Sequence, residues 1–209
     1  DVYTGKEVFN LATTDIITDL AIDPQMKFFV VTGYGNSGYG DSVTVYDFLS
    51  RKILKRLPAS ADKGLGSGVD VSISPDGNWI ALGEDNRTVN LYQSVDWKQV
   101  KTFAFEEGYC GGCGTRTVFS PDNKSMYLAS HNGPMRKYEL RTFKLVRTYE
   151  EKTGDLSGLA ISGDGKKIAR STEKEITVWN ESTGDSVTSF SAGDQGAFHE
   201  IEFTLDNKR

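Results

Sequence analysis

Ser74-Pro75-Asp76-Gly77 recurs along the chain as Ser120-Pro121-Asp122-Asn123, Ser162-Gly163-Asp164-Gly165 and Thr204-Leu205-Asp206-Asn207. The aspartates are 46, 42 and 42 residues apart. Asp23-Pro24-Gln25-Met26 is a weaker copy about one period upstream. Proline at the second position and Gly or Asn at the fourth suit a type I or related tight turn. A short alternating apolar run precedes each copy, at 17–22, 69–73, 117–119, 156–161 and 199–203. Another apolar run follows every copy but the last, at 28–31, 79–82, 126–129 and 167–169. The chain is therefore periodic, and its unit contains at least two strands joined by a turn.

A second marker repeats in step with the first. An aromatic closes a third run at Tyr46, Tyr92, Tyr138 and Trp179, and a polar residue follows it: Asp47, Gln93, Glu139 and Asn180. A fourth run comes next, at 53–57, 100–105, 145–149 and 187–190. Each unit is thus four short strands in 41 to 51 residues. No segment sustains a 3.6-residue apolar stripe, which excludes a helical solenoid. Strand-only repeats of this length predict an all-β fold, a β-propeller of four-stranded antiparallel blades. The expected blades are 17–57, 69–105, 116–150 and 156–191. A two-sheet sandwich is the structural alternative.

Composition agrees with a folded core and narrows the partners. The 209 residues are 37% hydrophobic and 25% charged, too apolar for a disordered chain. Area scaling allows about 70% of the unfolded surface to be buried. Net charge is 24 − 29 = −5, so no broad basic field exists to hold nucleic acid or an anionic membrane surface. No run of 18 apolar residues is present to span a membrane as a helix. Two cysteines are too few for a disulfide-dense scaffold.

These markers resemble the WD-repeat β-propeller family over essentially the whole chain. Tyr46-Asp47 matches the family's aromatic-Asp dipeptide, and Trp179-Asn180 is a near match. Tyr92-Gln93 and Tyr138-Glu139 keep the aromatic and lose the aspartate. The Ser-Pro-Asp-Gly turns are similar to those of bacterial-style members. A second resemblance is to quinoprotein-type propellers, through Asp1-Val2-Tyr3-Thr4-Gly5-Lys6 and Asn180-Glu181-Ser182-Thr183-Gly184-Asp185. In register, Asp1 follows a third strand and Arg209 starts a second one. The expectation is an outer strand at 7–11, four full blades and an inner strand at 199–204. The chain then reads as a piece of a longer propeller of six to eight blades, with a five-bladed ring as the alternative.

In a propeller the loops joining strands two and three share one face with the connections between blades. The long loops here are of those kinds: 33–42, 58–68 and 106–115. Function tends to ride on loops held by a rigid scaffold. Tyr34, Tyr39 and Tyr109 supply aromatic contact area on that rim, with Arg116 and Arg136 beside them as further partner-binding candidates. Cys110-Gly111-Gly112-Cys113 lies in one of the loops, and His131 falls on the same expected face. Cys110, Cys113 and His131 offer three soft ligands for zinc; a disulfide and free thiols are the other readings.

No nucleophile constellation is present, and neither a Gly-x-Ser-x-Gly elbow nor a phosphate loop opening a helix appears. Arg51, Lys52, Lys55 and Arg56 form a basic stretch that reads as protection of an outer strand edge. The expectation is a non-catalytic scaffold or sensor that needs no cofactor, zinc apart. Its partner is a protein or another domain of the same parent chain. The alternative is a cofactor- or metal-binding enzymatic propeller, quinoprotein- or lactonase-like.

Overall fold

The computed structural model describes residues 4, 6, 7, 9–11, 16–34, 41–58, 70–84, 87–105, 114–149, 154–193, 198 and 200–204. Among them are sixteen strands and no helix. The first sheet holds β1 (Ile16–Ile22), β2 (Phe28–Tyr34), β3 (Asp41–Asp47) and β4 (Ile53–Leu57). The second holds β5 (Asp70–Ile73), β6 (Trp79–Gly83), β7 (Thr88–Gln93) and β8 (Lys98–Ala104). The third holds β9 (Thr115–Phe119), β10 (Ser125–Ser130), β11 (Arg136–Glu139) and β12 (Leu145–Thr148). The fourth holds β13 (Leu156–Ile161), β14 (Lys167–Thr172), β15 (Glu175–Asn180) and β16 (Ser186–Ser191). Within each sheet the strands are antiparallel neighbours in chain order.

The repeated turn has one chemistry. Ser74 Oγ donates to Asp76 Oδ1 at 2.6 Å and accepts the Trp79 amide at 2.9 Å, while the Asn78 amide donates to Asp76 Oδ1 at 3.0 Å. Ser120 with Asp122, and Ser162 with Asp164, repeat the arrangement. The hydroxyl bonds from Ser120 and Ser162 hold the Asp122 and Asp164 carboxyls below their usual range. In the first sheet Asp23 replaces the serine and accepts the Lys27 amide itself. The fourth turn residue is left-handed in each of the four copies that lie wholly within the described residues: Met26 at φ 55, Gly77 at 73, Asn123 at 58 and Gly165 at 70. Gly and Asn suit that conformation, and Met26 carries a steric cost there.

The aromatic-plus-polar marker closes the other turn. Asp47 Oδ1 accepts the Ser50 amide at 2.6 Å, and Asn180 Oδ1 accepts the Ser182 and Thr183 amides. A short carboxylate or amide just after the strand thus organises the loop that returns the chain into the outer strand.

Side-chain alternation then stacks sheet on sheet. Ile80 packs in a cluster with Phe28, Val30, Val45 and Tyr92, and its neighbour Ala81 packs in a second with Phe103, Phe119 and Leu128. Met126 belongs to that second cluster, and its neighbour Tyr127 to a third with Met135, Tyr149, Ile168 and Trp179. The two middle sheets therefore bury both faces, which two sheets pressed together cannot do. Contacts between sheets run through the inner strands, β1 to β5, β5 to β9 and β9 to β13. This is propeller architecture. The close approach is tight enough that a Cβ on Gly83 would lie 2.5 Å from the Thr115 carbonyl oxygen.

The end segments differ from a simple strand reading. Neither the described residues of 6–11 nor 200–204 form a ladder. Phe9 instead packs on Phe29, with the Arg51 guanidinium 4.2 Å from the Phe9 ring centroid. Ile201 lies against Gly158 of β13. A strand is defined by ladder pairing, and among the described residues no ladder reaches either segment.

Candidate functional site

The strand-two-to-three turns and the exits from the outer strands meet at one end of the sheets. The Phe105 amide donates to the Arg87 carbonyl at 3.1 Å, the Tyr149 amide to Met135 at 2.8 Å and the Phe198 amide to Glu173 at 3.0 Å. Each exit is thus seated on the turn of its own sheet. The Gly154 amide also donates to Asn132 Oδ1 at 2.9 Å. A shared rim results, carried by these hydrogen-bonded loop roots. Tyr39, Tyr109, Cys110 and Cys113 lie outside the described residues, as does the side chain of Tyr34.

Of the remaining candidates, Arg116 has the most developed surroundings. It stands on the inner strand β9, with Nη1 3.2 Å from Asp70 Oδ1 and Nε donating to the Ser157 carbonyl at 3.3 Å. It therefore bridges the inner strands of three sheets. Asp70 is mostly buried and accepts the Thr117 amide at 2.9 Å and the Thr117 hydroxyl at 3.1 Å. Burial pushes the Asp70 carboxyl up, Arg116 pulls it down and Asp19 pushes it up again, leaving it at about 7. One seam earlier, Asp19 Oδ2 accepts the Val71 amide at 2.9 Å. Asp19 and Asp70 do the same work: a carboxylate on one inner strand caps an amide on the next.

Sequence reasoning missed both aspartates. The available signal was their shared register, one residue before the inward part of two successive inner strands. Arg116 occupies the corresponding place in the third sheet and Gly158 in the fourth, so the aspartate does not repeat beyond the second sheet.

Arg136 sits on β11, two strands out from Arg116, a separation of about 10 Å. Its guanidinium lies 5.0 Å from the Phe105 ring centroid, so its planar face is engaged with the root of the neighbouring connection. The structure does not bring Arg136 and Arg116 to one point. His131 follows β10, with Nε2 2.8 Å from Asp155 Oδ1. That contact ties the turn of the third sheet to the connection entering the fourth. Among the described residues, no three His, Cys, Asp or Glu side chains converge as a metal site.

At the opposite end, the third and fourth sheets are clamped by Glu181. It accepts the Tyr127 hydroxyl at 2.7 Å and pairs with Lys137. A polar cavity of about 160 Å³ lies there between the turns, lined by Ser120, Asp122, Lys137, Gly165 and others.

The family model described as "WD domain, G-beta repeat" matches residues 59–93. An uncharacterized WD repeat-containing protein of Synechocystis sp. is 25% identical over 156 residues, covering 73% of this chain and 40% of that protein. Minichromosome loss protein 1 of Schizosaccharomyces pombe is 30% identical over 78 residues, covering 37% of this chain and 9% of that protein. The chain thus spans well under two thirds of the length of either relative.

Proposed function

We propose that the chain is a WD-repeat β-propeller acting as a non-catalytic interaction module that holds a protein partner on the rim described above; the family-model match at residues 59–93 and the stacked four-stranded sheets support this reading. WD repeats generally mediate protein interaction. The observation that carries this reading is the seating of three successive outer-strand exits on the turns of their own sheets. The bond at Phe105 fixes one root of the connection that carries Tyr109, and function tends to ride on loops held by such a scaffold. Tyr34, Tyr39 and Tyr109 are the proposed aromatic contacts. Arg116 presents a half-exposed cation on β9, and Arg136 braces a loop root at Phe105.

The test is capture of a protein from a lysate of the source cell by immobilised chain, followed by its identification. The triple replacement of Tyr34, Tyr39 and Tyr109 by alanine should abolish or strongly weaken capture while leaving the thermal midpoint unchanged. Equal capture by both forms would overturn the rim assignment.

A further inference from the structure

The four outer strands are edges of their sheets, and three of them carry cations. β4 holds Lys55 and Arg56, β8 holds Lys98 and Lys101, and β12 holds Arg147. Charge on an edge discourages pairing with another strand. β16 is different. Its sequence is Ser186-Val187-Thr188-Ser189-Phe190-Ser191, with no charge and no proline, and all six residues are exposed. Val187 and Phe190 are each more than half exposed, as are Leu145 and Val146 of β12, so it is the missing charge that sets β16 apart.

We propose that β16 is a self-pairing edge, at which a second copy of this chain adds its own β16 antiparallel across a two-fold axis to make one continuous eight-stranded sheet. The choice of a second copy rests on charge. A two-fold perpendicular to the sheet places each residue opposite one on the same face, with a central residue opposite itself. In β4, β8 or β12 such pairing sets Lys55, Lys101 or Arg147 against its own copy or close to it, and like charges directly opposite are destabilising. In β16, centring on Thr188 or Ser189 sets only hydroxyl side chains at the axis. Val187 and Phe190 then each face a Ser or Thr, which leaves room for their bulk. The main-chain groups of the two edges supply the ladder, as in strand-addition complexes.

Sedimentation velocity on the full chain over a concentration series tests this. The native chain should show a concentration-dependent monomer–dimer equilibrium. Ser189→Lys should weaken it by about tenfold or more, because the new cation faces its own copy. Ser189 is exposed, so the thermal midpoint should stay unchanged. Thr188→Lys is the second variant, should the first lose its fold. Thr102→Lys on β8 should leave the equilibrium unaltered. A chain that stays monomeric throughout the series overturns the proposal. So does a dimer indifferent to both β16 variants.

Discussion

Replacing Asp70 by asparagine is expected to flatten the pH dependence of stability near neutrality. The folded carboxyl titrates at about 7, because burial between β5 and β9 outweighs the attraction of Arg116. In the unfolded chain an aspartate titrates at about 3.9. Its folded-state value is therefore raised, so the folded chain binds more protons than the unfolded one between those values. Stability is highest below the unfolded value and falls as pH rises toward 7, by about 1.4 kcal/mol per pH unit. Between pH of about 5.5 and 8 the loss comes to about 2 kcal/mol. The asparagine of Asp70→Asn would keep a carbonyl oxygen for the Thr117 amide and would not titrate. Urea unfolding of both forms, followed by near-UV circular dichroism across that range, measures the difference. The gap between native and Asp70→Asn should shift by about 2 kcal/mol in favour of the variant as pH rises. Parallel pH profiles would refute the reasoning and remove Asp70 as a buried, titrating link between inner strands.

Other outcomes follow from the same geometry. Met26→Gly should stabilise by about 1 kcal/mol, since φ 55 strains a residue with a Cβ and the Met26 side chain is largely exposed; chemical denaturation checks it. Gly83→Ala should destabilise by about 1–3 kcal/mol, because the new methyl would meet the Thr115 backbone, and the loss should appear as a lower thermal midpoint. Trp179→Ala should cost about 3–5 kcal/mol by emptying the seam between the third and fourth sheets, again read by denaturation. Thiol titration with and without a chelator tests the proposed Cys110, Cys113 and His131 site: a bound metal predicts two thiols unmasked by the chelator, and two freely reactive thiols in both conditions would remove it.

The fold was largely legible in the sequence because its turns demand particular chemistry. Ser-x-Asp with a Gly or Asn in fourth place, and an aromatic followed by a polar residue, mark both hairpins of a unit, and apolar alternation between them sets the faces. The marker holds even where the residue departs from it, as at Met26, because the rest of the turn is fixed by Asp23. The candidate rim was less legible. Its general place followed from the loop lengths, but Asp19 and Asp70 act through register alone, and the next two sheets put Arg116 and Gly158 there. A side-chain role confined to two of the four sheets leaves little repeat to find. The pairing of His131 with Asp155 escaped for a similar reason: the two are 24 positions apart in the sequence and meet only because a turn of one sheet lies on the connection to the next.

The central claim is that each middle sheet is packed on both faces. Nuclear Overhauser contacts from β6 test it most directly, since Ile80 and Ala81 are adjacent and point to opposite seams. The Ile80 methyls should show contacts to Val30 or Val45 of the first sheet, and the Ala81 methyl to Phe119 or Leu128 of the third, in the same sample. Contacts from only one of the two residues, with the other facing solvent, would contradict the stacking and with it the common rim.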